Sequence, residues 1–228
     1  MRDSRKIILG TECADCGGEW TVAKGESLEV YQLCSEGNHR VCLRLEEGAH
    51  AKVVFAAASS SQVAYDYCIE LSGEDAEVEL YGVFVAREGA NIKVHTEMRH
   101  NAPRCRSNQQ VRGVASEGGY GLFDGLVYVA PDAQQTEAYQ QSRNVLLSPT
   151  ARIQTLPQLE IYADDVKCSH GATVGQMNEE QIYYMRQRGL SEEDARKLQL
   201  GGFIRQVLDR VDDEALREEM ERLLFPAE

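Results

Sequence analysis

Short apolar runs separated by turn-forming residues limit what this chain can fold into more than any other feature. Between residues 26 and 162 the runs alternate with turn sequences such as Glu36-Gly37-Asn38. Several runs show the strand period, with Leu159 and Ile161 on one face. This spacing is typical of a β-sandwich, a barrel or a solenoid, and periodicity does not choose among them. The predicted strands are 28–33, 41–45, 52–57, 63–71, 78–85, 92–98, 122–130 and 158–162.

The pattern becomes helical near residue 177. Asn178 and Ser191 are suitable N-caps, each followed three residues later by a capping-box partner, and Gly189 fits a helix end. We predict helices over 179–188 and 213–224. Between them lies a helix whose predicted apolar stripe is Leu198, Phe203, Val207 and Val211. The predicted units are an N-terminal segment (1–25), a β core (26–176) and a C-terminal helical domain (177–228).

Charge and motif content exclude several classes of function. The net charge of −13 argues against binding to nucleic acids or to anionic membranes. The sequence has neither an apolar stretch of membrane-spanning length nor a signal peptide, so we expect a cytoplasmic protein with reduced cysteines. It contains no phosphate-binding loop, no H-E-x-x-H helix and no G-x-S-x-G elbow. We therefore expect a chain that is not an enzyme by itself, and any ATPase must be another chain.

The segment 157–176 combines two acids, a thiol and an imidazole. Cys168 and His170 are two residues apart, so on a strand they lie on the same face. Thiolate and imidazole are ligands that iron and zinc prefer, although a lone C-x-H is more often a packed thiol beside a hydrogen-bonded histidine. Two ligands do not complete a metal site. The others would have to come from elsewhere in the chain, from a second subunit or from bound sulfide.

The remaining cysteines and histidines give weaker signals. Cys13 and Cys16 form a C-x-x-C, which is half of a metal site, and no second pair follows it. Cys34, His39 and Cys42 would complete a site only if the fold brings them together, so an exposed thiol pair is the simpler interpretation. We expect Cys68 to be buried. His95 and His100 are expected to be surface or hydrogen-bonded histidines.

Longer stretches of sequence resemble one family. The stretch L-E-I-Y-A-D-D-V-K-C-S-H-G-A-T-V-G-Q, the following helices, and the upstream stretch G-L-F-D-G-L-V-Y-V-A-P-D are similar to the SufD branch of the SufB/SufD family. The similarity covers roughly residues 92–211. It implies a mainly β fold, namely a right-handed parallel β-helix with a C-terminal α-helical domain.

The resemblance also implies a function. SufB and SufD pair through their β-helices, and their helical domains dock onto the ABC-type ATPase SufC. The complex builds a transient iron–sulfur cluster, and no cofactor is expected to stay bound to the isolated chain. The histidine that matches the family's assembly residue is His170, with Cys168 as a weaker metal-binding candidate. The residues in the predicted ATPase-docking region are Arg188, Gly189, Leu190, Ala195 and Phe203.

Departures from the family leave the partner open. The sequence lacks the family's N-terminal helical region, and Ser142 stands near the position of the assembly cysteine of SufB. The chain therefore pairs either with a SufB-like subunit or with itself, as the sole scaffold of a minimal system. A metal-dependent enzyme with a Cys/His site and a structural adaptor without any ligand are the competing hypotheses.

Overall fold

The computed structural model describes residues 4–10 and 16–225, and within them the chain forms two parallel sheets. Sheet A has the order β1-β3-β5-β7-β9-β11-β13, and sheet B has the order β12-β10-β8-β6-β4-β2. The strands are β1 (Ser4–Leu9), β2 (Gly18–Val22), β3 (Ser27–Cys34), β4 (Gly37–Leu45), β5 (His50–Ser59), β6 (Gln62–Leu71), β7 (Glu77–Ala86), β8 (Asn91–His100), β9 (Arg106–Ala115), β10 (Tyr120–Val129), β11 (Thr136–Leu146), β12 (Arg152–Ile161) and β13 (Val166–Gln176).

The strand order is that of a β-solenoid. Odd-numbered strands enter sheet A and even-numbered strands enter sheet B, so the chain crosses from one sheet to the other at every turn. Neighbouring strands within each sheet are parallel, as in the pairing of β5 with β7. We call one sheet B strand together with the sheet A strand that follows it a rung, so the last rung is β12 with β13. The predicted parallel β-helix with C-terminal helices is thereby confirmed as a mainly β solenoid.

A column of left-handed residues forms one corner of the solenoid. Gly25, Gly48, Asp75, Arg104 and Gln135 all have φ between 57° and 71°. The amide of each donates a hydrogen bond to a carbonyl one rung further along, for example from Gly48 to Glu74 at 2.8 Å. The same turn is therefore repeated and stacked, which keeps successive rungs in register.

The interior is packed by placing large side chains beside glycines. Phe55 of β5 lies in register with Gly82 of β7, and a Cβ at Gly82 would overlap the Phe55 ring. Phe84 and Gly113 repeat the arrangement between β7 and β9. Each aromatic ring thus fills the space that the missing side chain leaves, as close packing of an interior requires.

Three helices follow the solenoid, and two of them cover the outer face of sheet A. Helix α1 spans Glu179–Gln187, α2 spans Glu192–Leu208 and α3 spans Glu214–Leu224. The predicted caps Asn178 and Ser191 each accept a hydrogen bond from the residue three positions later, as expected. A second apolar cluster joins α2 and α3 to sheet A, with members Tyr31, Leu33, Val54, Ala56, Tyr81, Val83, Ile204, Val207, Leu208, Val211, Leu216 and Met220. Among the residues that the structure describes, no helix is long and apolar enough to cross a membrane.

The structure corrects several predictions. Leu198 is 60% exposed, so it is not part of the buried stripe of α2, where Ile204 takes its place beside Val207. Cys68 is not buried, because its position on β6 faces outward. Strands β9 and β11 were missed because many of their inward positions carry polar side chains instead of apolar ones. Strands β1 and β2 fall inside the segment 1–25 and pair with β3 and β4.

Candidate functional site

The candidate site lies on the last rung, where the solenoid ends. Strand β12 is at one edge of sheet B, and β13 is at the corresponding edge of sheet A. In the part of the chain that the structure describes, no strand pairs with the far edge of either. Unpaired backbone groups along an edge are ready to bond with another strand.

Cys168 and His170 lie two residues apart on β13, so both side chains are on the same face of the strand, as the sequence predicts. Cys168 is half-buried against the solenoid core, whereas His170 is exposed near the open end. Burial raises the pKa of the Cys168 thiol, which favours the protonated form until a cation replaces the proton. The His170 imidazole is therefore the more accessible of the two candidate ligands.

The interior next to His170 is polar. Gln140 of β11 is the register partner of His170, and Ser142 and Asn144 follow it on the same buried face. Both amide atoms of Gln140 and the Oγ1 of Thr155 have no hydrogen-bond partner among the described residues. Buried polar atoms normally have partners, so this region is suited to hold water or ions. Gln140 was missed from the sequence because its proximity to His170 depends on the register between β11 and β13.

Large apolar side chains are exposed around this last rung. Their exposed fractions run from 38% for Ile161 to 59% for Tyr162. Exposed apolar side chains of this size near an open sheet edge are available for contact with another chain. We call this set the terminal apolar surface, and its members are Tyr139, Leu156, Ile161, Tyr162 and Val174.

The predicted docking residues divide into two groups. Arg188 and Gly189 are exposed between α1 and α2, and the Arg188 guanidinium lies 4.5 Å from the centroid of the Tyr184 ring. Leu190 is partly buried beside them. Ala195 is fully buried, and Phe203 packs against sheet A under the guanidinium of Arg112, so these two offer little surface to a partner.

The other predicted groups are also placed. Cys16, Cys34 and His39 come together beside β2, β3 and β4, whereas Cys42 faces outward on β4. Cys13 lies outside the described residues. His95 is partly exposed and lies 3.3 Å from Asp124, which agrees with the expected surface role.

A comparison with known protein families identifies the family of this chain. Residues 19–203 match the family described as "SUF system FeS cluster assembly, SufBD core domain". The chain belongs to the SufBD family of iron–sulfur cluster assembly proteins. The match includes most of the solenoid, both candidate ligands and most of α2.

Individual relatives agree with the SufD-like assignment. The chain is 36% identical over 151 residues to the iron–sulfur cluster assembly protein SufD of Escherichia coli, which covers 66% of this chain and 36% of the relative. It is 42% identical over 117 residues to a SufBD family protein of Synechocystis, covering 51% of this chain and 26% of the relative. It is 31% identical over 178 residues to the chloroplastic protein ABCI7 of Arabidopsis thaliana, which covers 78% of this chain and 38% of the relative. The chain thus spans well under half the length of these relatives.

Proposed function

We propose that this chain is a scaffold subunit that helps to assemble an iron–sulfur cluster where its last rung meets a second chain. The observation that carries this proposal is the exposed imidazole of His170 on the edge strand β13, beside the half-buried thiol of Cys168. Strand β13 pairs with β11 on one side, and no described strand covers its other side. Both groups can bind iron, and neither is committed to another side chain by a described hydrogen bond or ion pair.

An incomplete ligand set explains why a second chain is needed. Each iron of a cluster is held by sulfide and by a small number of protein ligands, chiefly thiolates. One imidazole and one thiol on an edge strand leave the remaining positions open. A SufB-like subunit, or a second copy of this chain, would supply them by covering the terminal apolar surface.

We expect replacement of His170 to abolish most cluster formation while the complex still assembles. The test co-expresses the chain with an ABC-type ATPase and a SufB-like subunit from the same organism. The purified complex is then reconstituted with ferrous iron and sulfide under anaerobic conditions. Cluster yield is measured by visible absorption and by iron and sulfide content, and subunit composition by native mass spectrometry. His170→Ala should lower the yield about 10-fold or more, as expected for a lost ligand.

His95→Ala is the matched control, because it also removes a partly exposed histidine from a strand, but from β8, away from the last rung. The control complex should reach the wild-type yield. An unchanged yield in His170→Ala, with the complex intact, would leave the chain as an adaptor without a ligand. Native mass spectra without a SufB-like subunit would show whether two copies of this chain pair instead.

The ATPase is proposed to dock on the helices. Tyr183, Tyr184 and Leu198 are large, apolar and exposed on α1 and α2, and these three residues define the helical apolar surface. Tyrosine and arginine dominate many protein interfaces. The position of Arg188 over Tyr184 therefore supports a contact there.

We expect Tyr184→Ala to weaken ATPase binding by about 10-fold or more, the effect of an interface hot spot. The measurement is isothermal titration of the purified chain with the ATPase. Tyr162→Ala is the control, since it removes an equally exposed tyrosine from the last rung. Equal affinities of Tyr184→Ala and wild-type protein would place the ATPase elsewhere on the chain.

A further inference from the structure

We propose that Cys16, Cys34 and His39 form a zinc site beside β2, β3 and β4, near the first strands of the solenoid. These residues come from three segments: the approach to β2, the end of β3 and the start of β4. All three are buried, and their ligand atoms lie within 4.8 Å of one another. The site is at the opposite end of the sheets from β13, so it is separate from the candidate assembly site.

The distances suit a tetrahedral ion after a small closure. Zinc binds sulfur at about 2.3 Å and imidazole nitrogen at about 2.0–2.1 Å, which places tetrahedral ligand atoms about 3.5–3.8 Å apart. The three groups therefore need to approach each other by about 1 Å at most. Both thiols already point at one place, since Sγ of Cys16 is 3.6 Å and Sγ of Cys34 is 3.9 Å from the carbonyl oxygen of Gly10.

The hydrogen bonds of His39 set the tautomer that zinc requires. Nε2 lies 2.8 Å from the carbonyl oxygen of Glu36, which can only accept, so Nε2 carries the proton and donates it. Nδ1 is then the unprotonated nitrogen, and it accepts a hydrogen bond from the amide of Cys16 at 3.1 Å. A metal-binding histidine typically donates its other N–H to a carbonyl in this way. Zinc would replace the Cys16 amide at Nδ1.

Neighbouring groups fix the imidazole ring in place. The Tyr65 ring lies 5.0 Å from the His39 ring between centroids. The Tyr65 hydroxyl in turn donates to the carbonyl oxygen of Cys34 at 2.9 Å. One aromatic side chain thus holds two of the three ligand-bearing residues. Such outer-shell contacts orient the ligands before the ion arrives.

A structural role explains the location. The ends of a solenoid leave its core incompletely covered, so terminal elements need a cap. An ion bound to Cys16, Cys34 and His39 would tie the chain before β2 to β3 and β4, beside the edge strands β1 and β2 of the described sheets. On binding, two thiols lose their protons to solvent and become thiolates. Three protein ligands leave one position of the tetrahedron for water or for another donor.

The test measures zinc in the full chain, purified under reducing conditions after zinc loading and dialysis. We expect one zinc ion per chain by elemental analysis. After cobalt substitution, we expect the absorption of a tetrahedral thiolate complex. Cys16→Ser and Cys34→Ser should each weaken zinc binding by more than ~100-fold. Loss of a residue that only contacts a ligand costs up to about 100-fold, so a larger effect indicates that the thiol itself binds the ion. His39→Gln should do the same, and His39→Cys should restore binding because it replaces one ligand by another.

The control removes the other neighbouring thiols. Cys42 and Cys68 are register partners on the outer face of sheet B. The Cys68 sulfur accepts a hydrogen bond from the Arg40 guanidinium at 3.8 Å, so this thiol pair has its own polar contact outside the proposed site. The double variant Cys42→Ser with Cys68→Ser should keep its zinc. A wild-type chain that binds no zinc after loading would overturn the proposal, whether or not the variants fold. Zinc lost from the double variant but kept by Cys16→Ser would overturn it too.

Discussion

Replacing Phe55 with alanine is expected to lower the free energy of unfolding by about 3–5 kcal/mol, the usual cost of deleting a buried aromatic ring. Phe55 is fully buried and stacks against two tyrosines of the next sheet, with centroids 5.4 Å from Tyr65 and 5.3 Å from Tyr67. Neighbouring rungs hold the backbone in place, so the cavity cannot collapse. Urea unfolding followed by circular dichroism measures the difference.

The neighbouring glycine gives a sharper version of this test. Gly82→Ala alone should cost about 1–3 kcal/mol, because its methyl group overlaps the Phe55 ring. In the Phe55→Ala background the methyl group enters the vacated space instead. The double variant should therefore be more stable than the sum of the single effects predicts, by more than ~0.5 kcal/mol. Additive effects would mean that the two residues do not share this space.

Tyr162→Ala controls for the loss of an aromatic ring as such. Tyr162 is 59% exposed, so its removal leaves little cavity. We expect a change within about 1 kcal/mol for such a surface substitution. A cost equal to that of Phe55→Ala would show that burial at Phe55 is not the cause.

The sequence predicts helix caps and the side-chain parity of a strand well because both are local. The N-caps Asn178 and Ser191 depend on a side chain and an amide three residues away, and both are observed. The common face of Cys168 and His170 depends on strand parity alone, which a spacing of two determines. Local geometry therefore suffices to place these two side chains on one face of β13.

The repeat itself could not be read from the sequence without the family resemblance. Five stacked turns share a left-handed residue, but glycine occupies only Gly25 and Gly48, while Asp75, Arg104 and Gln135 fill the others. The spacing also changes, from 23 residues between the first pair to 31 between the last. Backbone hydrogen bonds between rungs hold the turns, so the side chain at each position is free to vary.

Interior polarity explains the remaining misses and links the fold to the site. Strand β9 carries Ser107 and Gln109 inward, and β11 carries Gln140 and Ser142, so neither strand shows an apolar alternation. Amide atoms of Gln109 and Gln140 have no hydrogen-bond partner among the described residues, and burying such atoms costs free energy unless water bonds to them. The rungs near His170 therefore depart from the apolar pattern that a core built for stability alone would show.

Acid should destabilise this protein through one buried histidine. His100 is fully buried at the end of β8, with Nε2 2.9 Å from the Ser107 hydroxyl and with no described partner for Nδ1. Burial lowers the pKa of His100 to about 4, from an ordinary value near 6.5. Between those pH values the unfolded chain binds a proton that the folded chain does not. The free energy of unfolding therefore falls as pH drops from about 6.5 to about 4, by about 3 kcal/mol in full.

Urea unfolding at several pH values tests this, with His100→Gln as the variant and His95→Gln as the control. Exposed carboxylates titrate equally in all three proteins, so the difference between wild type and His100→Gln isolates one group.

His100→Gln should be less stable than wild type at pH 7.5, because the hydrogen bond to Ser107 is altered. Its disadvantage should shrink and then reverse toward pH 4, since glutamine has no proton to gain. His95→Gln should keep the loss of stability between about pH 6.5 and about pH 4, because it removes a histidine from the same strand and leaves His100 and Ser107 in place. Parallel curves for wild type and His100→Gln would show that His100 takes up its proton without unfolding, through water that reaches the interior of the solenoid.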